Sequence, residues 1–144
     1  MTKSTDMSGG VVLLDVLAAE GDFDRSILER LGHPVVTCAG PEVKTLCPLL
    51  GGEGCPKFDE AHGIVFELDL DRPQHRAIVD RYSRLARDDM PIRVVVRPDQ
   101  QRRYADLLAT VQVWDHEPTV ADLDGFAAQV EATDRASGAI AAAD

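Results

Sequence analysis

Two groups of residues in this chain are of types that do chemistry. The first group is acidic. Asp15 closes the apolar run Val11-Val-Leu-Leu-Asp15, and Asp69 and Asp71 close the alternating stretch Gly63-Ile-Val-Phe-Glu-Leu-Asp-Leu-Asp-Arg-Pro73. Carboxylates gathered at strand ends can supply hard oxygen ligands for Mg²⁺ or a nucleophile for phosphoryl transfer. An enzyme using Asp15, Asp69 and Asp71 on a phosphorylated substrate is therefore one reading, although no nucleophile–base constellation accompanies it. The plainer reading has Asp71 capping the next helix, with Glu67 and Asp69 facing solvent.

The second group is Cys38, Cys47 and Cys55, with His62 seven residues further on. Their spacings of nine and eight are not the CxxC knuckles of common zinc sites. Pro48 and Pro56 follow two of them, as proline does at some iron–sulfur ligands. Three readings stand. A Cys₃His set suits zinc or an iron–sulfur cluster. A redox pair of Cys47 and Cys55 is possible across the flexible Gly51, Gly52 and Gly54. Three free thiols can also pack as small apolar side chains. Cys38 weakens the metal set, because it ends a strand from which the next segment is expected to run away.

These residues are positioned by a regular alternation of elements. Val11–Asp15 reads as a strand buried on both faces. Phe23, Ile27, Leu28 and Leu31 share one face of a helix that Gly32 stops. His33–Cys38 is a second short strand. Residues 39–62 are rich in Gly and Pro and hold no long regular element, beyond a turn or two of helix over 41–46. The stretch from Gly63 alternates strictly and is the third strand, with Ile64, Phe66, Leu68 and Leu70 on one face. Ile78, Val79, Tyr82, Leu85 and Ala86 mark a helix after Pro73. Ile92–Val96 is the fourth strand, a helix carrying Tyr104, Leu107 and Leu108 follows, and Val111–Trp114 is the fifth strand. Thr119 and Asp122 form a capping-box pattern for a last helix whose inner face is Leu123, Phe126, Ala127 and Val130. Five strands alternating with helices imply an α/β domain, a parallel sheet covered on both sides. Residues 1–10 read as a flexible N-terminus, 11–132 as the domain, and the Ala- and Ser-rich 133–144 as a loose tail. His33 reads as structural, and His75 and His116 as solvated. Trp114 reads as core, at the edge of the sheet.

Composition narrows the function. At 144 residues with 44% apolar content, the chain can bury a core. A formal net charge of −10 repels nucleic-acid phosphates and acidic membrane surfaces. No apolar stretch reaches the ~20 residues that cross a bilayer, and no signal pattern opens the chain, so the cytoplasm is expected. An odd count of three cysteines does not suit a disulfide framework.

Over residues 11–132 the chain resembles the receiver domains of bacterial response regulators. The resemblance is carried by Leu13-Leu-Asp15, Leu31-Gly-His-Pro-Val-Val36, Asp69-Leu-Asp-Arg-Pro73, Pro91-Ile-Arg-Val-Val-Val96 and Glu117-Pro118-Thr119. It implies a flavodoxin-like, doubly wound five-stranded sheet of order 2-1-3-4-5, with the Cys/Gly/Pro stretch in place of most of the second helix. It also implies a pocket at the C-terminal strand ends. In receivers the phospho-acceptor Asp stands four residues before a Pro, which gives Asp69 that role, with Asp15 and Asp71 as its acidic pocket.

Three positions depart from the pattern. Asp15 is followed by Val16 where receivers carry a second acid, and Glu20 is displaced from that place. Val96 or Arg97 stands where receivers place Ser or Thr. Glu117 replaces the Lys that would neutralise an acyl phosphate. Mg²⁺ is therefore not expected, and phosphotransfer is expected to be lost. The leading expectation is a stand-alone pseudo-receiver in signal transduction, with no output domain attached. It would act on a protein partner or as a homodimer through a face containing Tyr104, Trp114, Asp122 and Phe126. A metal- or redox-sensing module on the same fold is the alternative.

Overall fold

Each apolar run becomes one strand of a single parallel sheet. The computed structural model describes residues 9–17, 20–41, 47–52, 54–87 and 89–143. The strands are β1 (Val12–Asp15), β2 (Val35–Cys38), β3 (Gly63–Phe66), β4 (Ile92–Val95) and β5 (Gln112–Trp114), in the order β2-β1-β3-β4-β5. Val12 lies opposite Val35 and Gly63, and Asp15 opposite Cys38 and Phe66. β1 and β3 are central and wholly buried. A strand covered on both faces cannot alternate polar with apolar, which is why β1 is a continuous apolar run.

Side-chain alternation divides the core in two. Leu13, Ile64, Phe66 and Val94 enter one layer with Ile78, Val79 and Tyr82 of α3 (Pro73–Leu85). Val12, Leu14 and Val65 enter the other. That layer is closed by Leu28 of α1 (Asp22–Arg30) and by Leu123, Phe126, Ala127 and Val130 of α6 (Val120–Ala143). Gly63 lets α6 settle onto the sheet. A Cβ there would stand 2.6 Å from Val130 Cγ2 and 2.9 Å from Phe126 Cζ.

Several elements differ from the expectations of the sequence. β3 ends at Phe66, although Leu68 and Leu70 stay buried in the loop that follows. α1 is turned about its axis: Asp24 and Leu28 are buried, while Phe23 and Leu31 are exposed. The helix after β4 is two short pieces, α4 (Pro98–Arg103) and α5 (Ala105–Leu108), broken at Tyr104. α2 is only Pro56–Asp59. The helical turn expected over 41–46 falls mostly on residues 42–46, outside the described residues, as does most of the N-terminal segment. The backbone of α6 stays helical to Ala143, where a loose tail was expected. Alanine has the strongest helix propensity of any residue, and this end of the chain is rich in it. Among the described residues no helix is long and apolar enough to cross a membrane.

Candidate functional site

The cleft at the C-terminal strand ends is built around Glu67. Its backbone N–H donates to the Asp15 carbonyl at 2.7 Å, so it is the residue that immediately follows the β3 ladder. Alternation puts it on the layer of Val65, toward α1. There it meets Asp24, which the turn of α1 has buried. Its Oε2 is buried without a hydrogen-bond partner. Burial and the adjoining Asp24 carboxyl, with Glu117 and Glu20 adding to them, push the Glu67 carboxyl up to about 9. Burial and the neighbouring acids thus favour the protonated form of Glu67. Glu20 comes from the β1–α1 loop, Glu117 from the β5–α6 loop, and every charge that raises Glu67 is acidic.

Asp15 faces the opposite layer. It is 1% exposed and accepts a 2.6 Å hydrogen bond from the Tyr82 hydroxyl. Burial raises its carboxyl to about 7, against the opposing pull of Tyr82 and the Lys57 ammonium. Tyr82 is held there by a stacked Phe58 and an edge contact with Phe66. Burial, followed by the Asp15 charge, pushes its phenol further up.

Asp69 and Asp71 lie beyond the strand end, in the β3–α3 loop. Asp69 Oδ1 accepts from the Asp71 N–H at 2.9 Å and from Gln100 Nε2 at 3.0 Å. Asp71 is exposed and pairs with Arg97 at 2.6 Å and Arg103 at 2.7 Å, and the Tyr104 hydroxyl donates to it at 3.0 Å. Tyr104 first, then Gln100 and the two guanidiniums, hold its carboxyl below the usual carboxylate range. The three expected pocket acids are therefore divided: Asp15 turns into the core, and Asp71 is tied to the arginines of the β4–α4 region. His75, expected in solvent, is 2% exposed, and its Nδ1–H donates to the Asp69 carbonyl at 3.0 Å. Burial holds its imidazole below the ordinary range. His33 is structural as expected, bonded through Nδ1 to the Gly10 carbonyl at 2.9 Å. His116 pairs with Asp115 and Asp122, not with Asp69 or Asp71, and both carboxylates raise its pKa.

The metal reading fails on geometry. Among the described residues no three His, Cys, Asp or Glu side chains are placed to hold a metal ion. Cys38 sits at the C-terminal end of β2, where its carbonyl accepts from the Val16 N–H. His62 sits at the other end of the sheet, its N–H on the Val11 carbonyl and its Nδ1 accepting from the Val11 N–H at 3.0 Å. Four residues of strand, from Val11 to Asp15, separate those two levels, about 13 Å. Cys38, Cys47 and Cys55 are free, half-buried thiols packed against the core.

The expected partner face also divides. Phe126 is 1% exposed and edge-on to Trp114, so it belongs to the core. Leu123, Phe126 and Val130 fall at i, i+3 and i+7, which marks the inner side of α6. Trp114 packs on that same layer, while Tyr104 packs on the other. Asp122 is engaged in capping α6: its N–H donates to Thr119 Oγ1 at 3.2 Å, and its carboxylate accepts from the Thr119 N–H at 3.0 Å.

The sequence reading placed Glu67 in solvent and Tyr82 only on a helix face, and it did not single out Asp24. One signal could have found Glu67. A sheet covered on both faces has no solvent side, so an acid extending a central strand meets a helix whichever way it points.

A five-stranded parallel sheet of order 2-1-3-4-5, flanked by helices and with its cleft at the strand ends, is the flavodoxin-like fold of receiver domains. Solved structures share it, and two of them show the extent of the likeness. One is a response regulator protein from Burkholderia multivorans, with TM-score 0.57 and 14% identity over 85% of this chain and 94% of that one. The other is a CheY-like response regulator receiver domain protein from Methanospirillum hungatei JF-1, with TM-score 0.57 and 14% identity over 88% of this chain and 97% of that one. No family model and no curated protein matches the sequence. At this identity the likeness establishes the fold.

Proposed function

We propose that this chain is a receiver-like regulatory domain that signals by protein contact and has lost aspartyl phosphotransfer. The observation that carries the reading is the cleft itself. The acid that directly follows β3 is Glu67, held toward its protonated form and set among Asp24, Glu20 and Glu117. A carboxylate attacks phosphorus only when ionised, and its acyl phosphate needs cations around it. A protonated carboxyl ringed by acids offers neither. Asp69 remains the second candidate acceptor, since it keeps the spacing to Pro73, but its Oδ1 is occupied by the Asp71 N–H and Gln100.

The contact surface we favour is the exposed side of α4 and α5 around Tyr104, and its occupant is a partner protein or a second copy of the chain. The test is incubation with acetyl phosphate and Mg²⁺ followed by intact-mass measurement. No added phosphoryl group is expected. A stable phosphoryl adduct that disappears in Glu67→Gln or Asp69→Asn would overturn the reading.

A further inference from the structure

At the end of the sheet opposite the acidic cleft lies a groove of about 680 Å³, enclosed by the end of α3, the start of β4, the turn before β5, and α6. Arg93 forms part of its wall. The side chain is half-buried and fixed. It donates to the Ile92 carbonyl at 3.2 Å and to Gln129 Oε1, and its guanidinium carbon lies 5.8 Å from the ring centres of both Trp114 and Phe126. Among the described residues no carboxylate pairs with it, in a chain with 25 Asp and Glu against 15 Lys and Arg. Burial alone lowers its pKa, with no acid opposing the shift. A guanidinium has five N–H donors, and two are used. Ser83, Thr110, Gln112 and Thr133 line the same groove with hydroxyl and amide groups, and its one lining carboxylate among the described residues, Asp89, is paired with Arg87 at 3.7 Å and not with Arg93.

We propose that this groove binds a small oxyanion-bearing ligand, a phosphorylated or carboxylated metabolite, with Arg93 as the anion clamp. A half-buried cation with no carboxylate partner among the described residues is costly, and a ligand oxyanion would supply one. The planar guanidinium fork matches carboxylate and phosphate alike. Gln129 and the two rings hold it in advance, so little side-chain freedom is lost on binding. The groove lies within the usual range of small-molecule sites, about 300–1,000 Å³. It is independent of the strand-end cleft and of the signalling role proposed there.

Trp114 is the chain's single tryptophan and lies beside the guanidinium, so its fluorescence reports occupancy. The full chain would be titrated separately with inorganic phosphate and with succinate, against sodium chloride at matched ionic strength. A saturable change with phosphate or succinate, half-complete near or below about 1 mM, is expected; which of the two gives it distinguishes a phosphate from a carboxylate ligand. Arg93→Gln should weaken binding at least about tenfold. Ala132→Glu, which sets a carboxylate on the α6 wall, should do the same while leaving Arg93 in place. Arg84→Gln, on the exposed side of α3, should bind normally. A response no different from sodium chloride, or unchanged affinity in Ala132→Glu, would overturn the proposal. Ala132→Glu decides alone if Arg93→Gln does not fold.

Discussion

Four positions separate Glu67 from Asp71, and their carboxyls are driven in opposite directions. Glu67 is raised to about 9; Asp71 is lowered. Both follow β3 and both stand on the C-terminal side of the sheet. What differs is the element that arrives beside each. α1 brings Asp24 to Glu67, and the flanking loops bring Glu20 and Glu117. The β4–α4 region brings Arg97 and Arg103 to Asp71, and Tyr104 completes its bonds. The same side-chain chemistry thus gives a half-buried carboxyl held toward its protonated form on one side and a paired surface cluster on the other. An acidic run in sequence does not state which it will become; the neighbouring helix decides.

The two regions should oppose each other in their pH dependence. Glu67 has a folded pKa raised above its ordinary value of 4.5, so the folded state holds the extra proton over that interval. Its favourable contribution is complete below about 4.5 and is lost as pH rises toward 9. Asp15, raised from 3.8 to about 7, acts in the same sense over a lower window. Asp71 is lowered, so its contribution is present above about 4 and lost as pH falls further. Thermal stability should therefore peak at about pH 4 and decline toward pH 9. Glu67→Gln breaks the comparison most strongly, because an amide needs no proton to stay neutral. At pH 8.5 it should stabilise by about 2 kcal/mol, allowing for solvent screening of a partly exposed group, or roughly 5 °C in Tm. A variant whose Tm keeps the wild-type slope between pH 5 and 9 would show that Glu67 stays ionised.

The layout of the sheet was legible because its signals are local. Continuous apolar runs marked β1 and β4, and Pro and Gly marked the breaks. Strand order came through the family resemblance and agrees with the structure. The cleft was not legible, for two physical reasons. Alternation through Glu67 looks solvent-facing unless the covering helix is placed, and the face of α1 could not be set from Phe23, Ile27, Leu28 and Leu31. All four are large and apolar and suggest an inward Phe23, yet the packed face is Asp24 and Leu28, with Ile27 partly covered. His75 was misread in the same way: a polar residue in a first helical turn looks solvated until the Asp69 carbonyl is found above it.

Asp15 sharpens the comparison, being buried like Glu67 but partnered like Asp71. Tyr82→Phe removes the one hydrogen bond that the Asp15 carboxyl makes among the described residues and keeps the ring against Phe58 and Phe66. A buried carboxyl left without that donor should cost about 1 kcal/mol. Because the lost hydrogen bond favours the ionised form, the Asp15 pKa should move further up from about 7. Carboxyl-carbon NMR of Asp15 measures the shift. An Asp15 pKa that stays put would place the stabilisation in burial and the Lys57 ammonium alone.

The smallest effect belongs to the paired region. Tyr104 is held between the Arg76 and Arg103 guanidiniums, 4.9 and 5.4 Å from its ring centre, with its hydroxyl on Asp71. Tyr104→Phe keeps both cation–π contacts and removes one hydrogen bond from an exposed carboxylate. Solvent replaces that bond readily, so stability should hardly change and any difference should fade with added salt. The Asp71 pKa should nonetheless rise toward the ordinary range, because the Tyr104 hydroxyl is the largest influence holding it down. A titration that leaves Asp71 depressed would assign its shift to Arg97 and Arg103. The cluster would then be an electrostatic clasp between the β3–α3 loop and α4, with the phenol as a spacer.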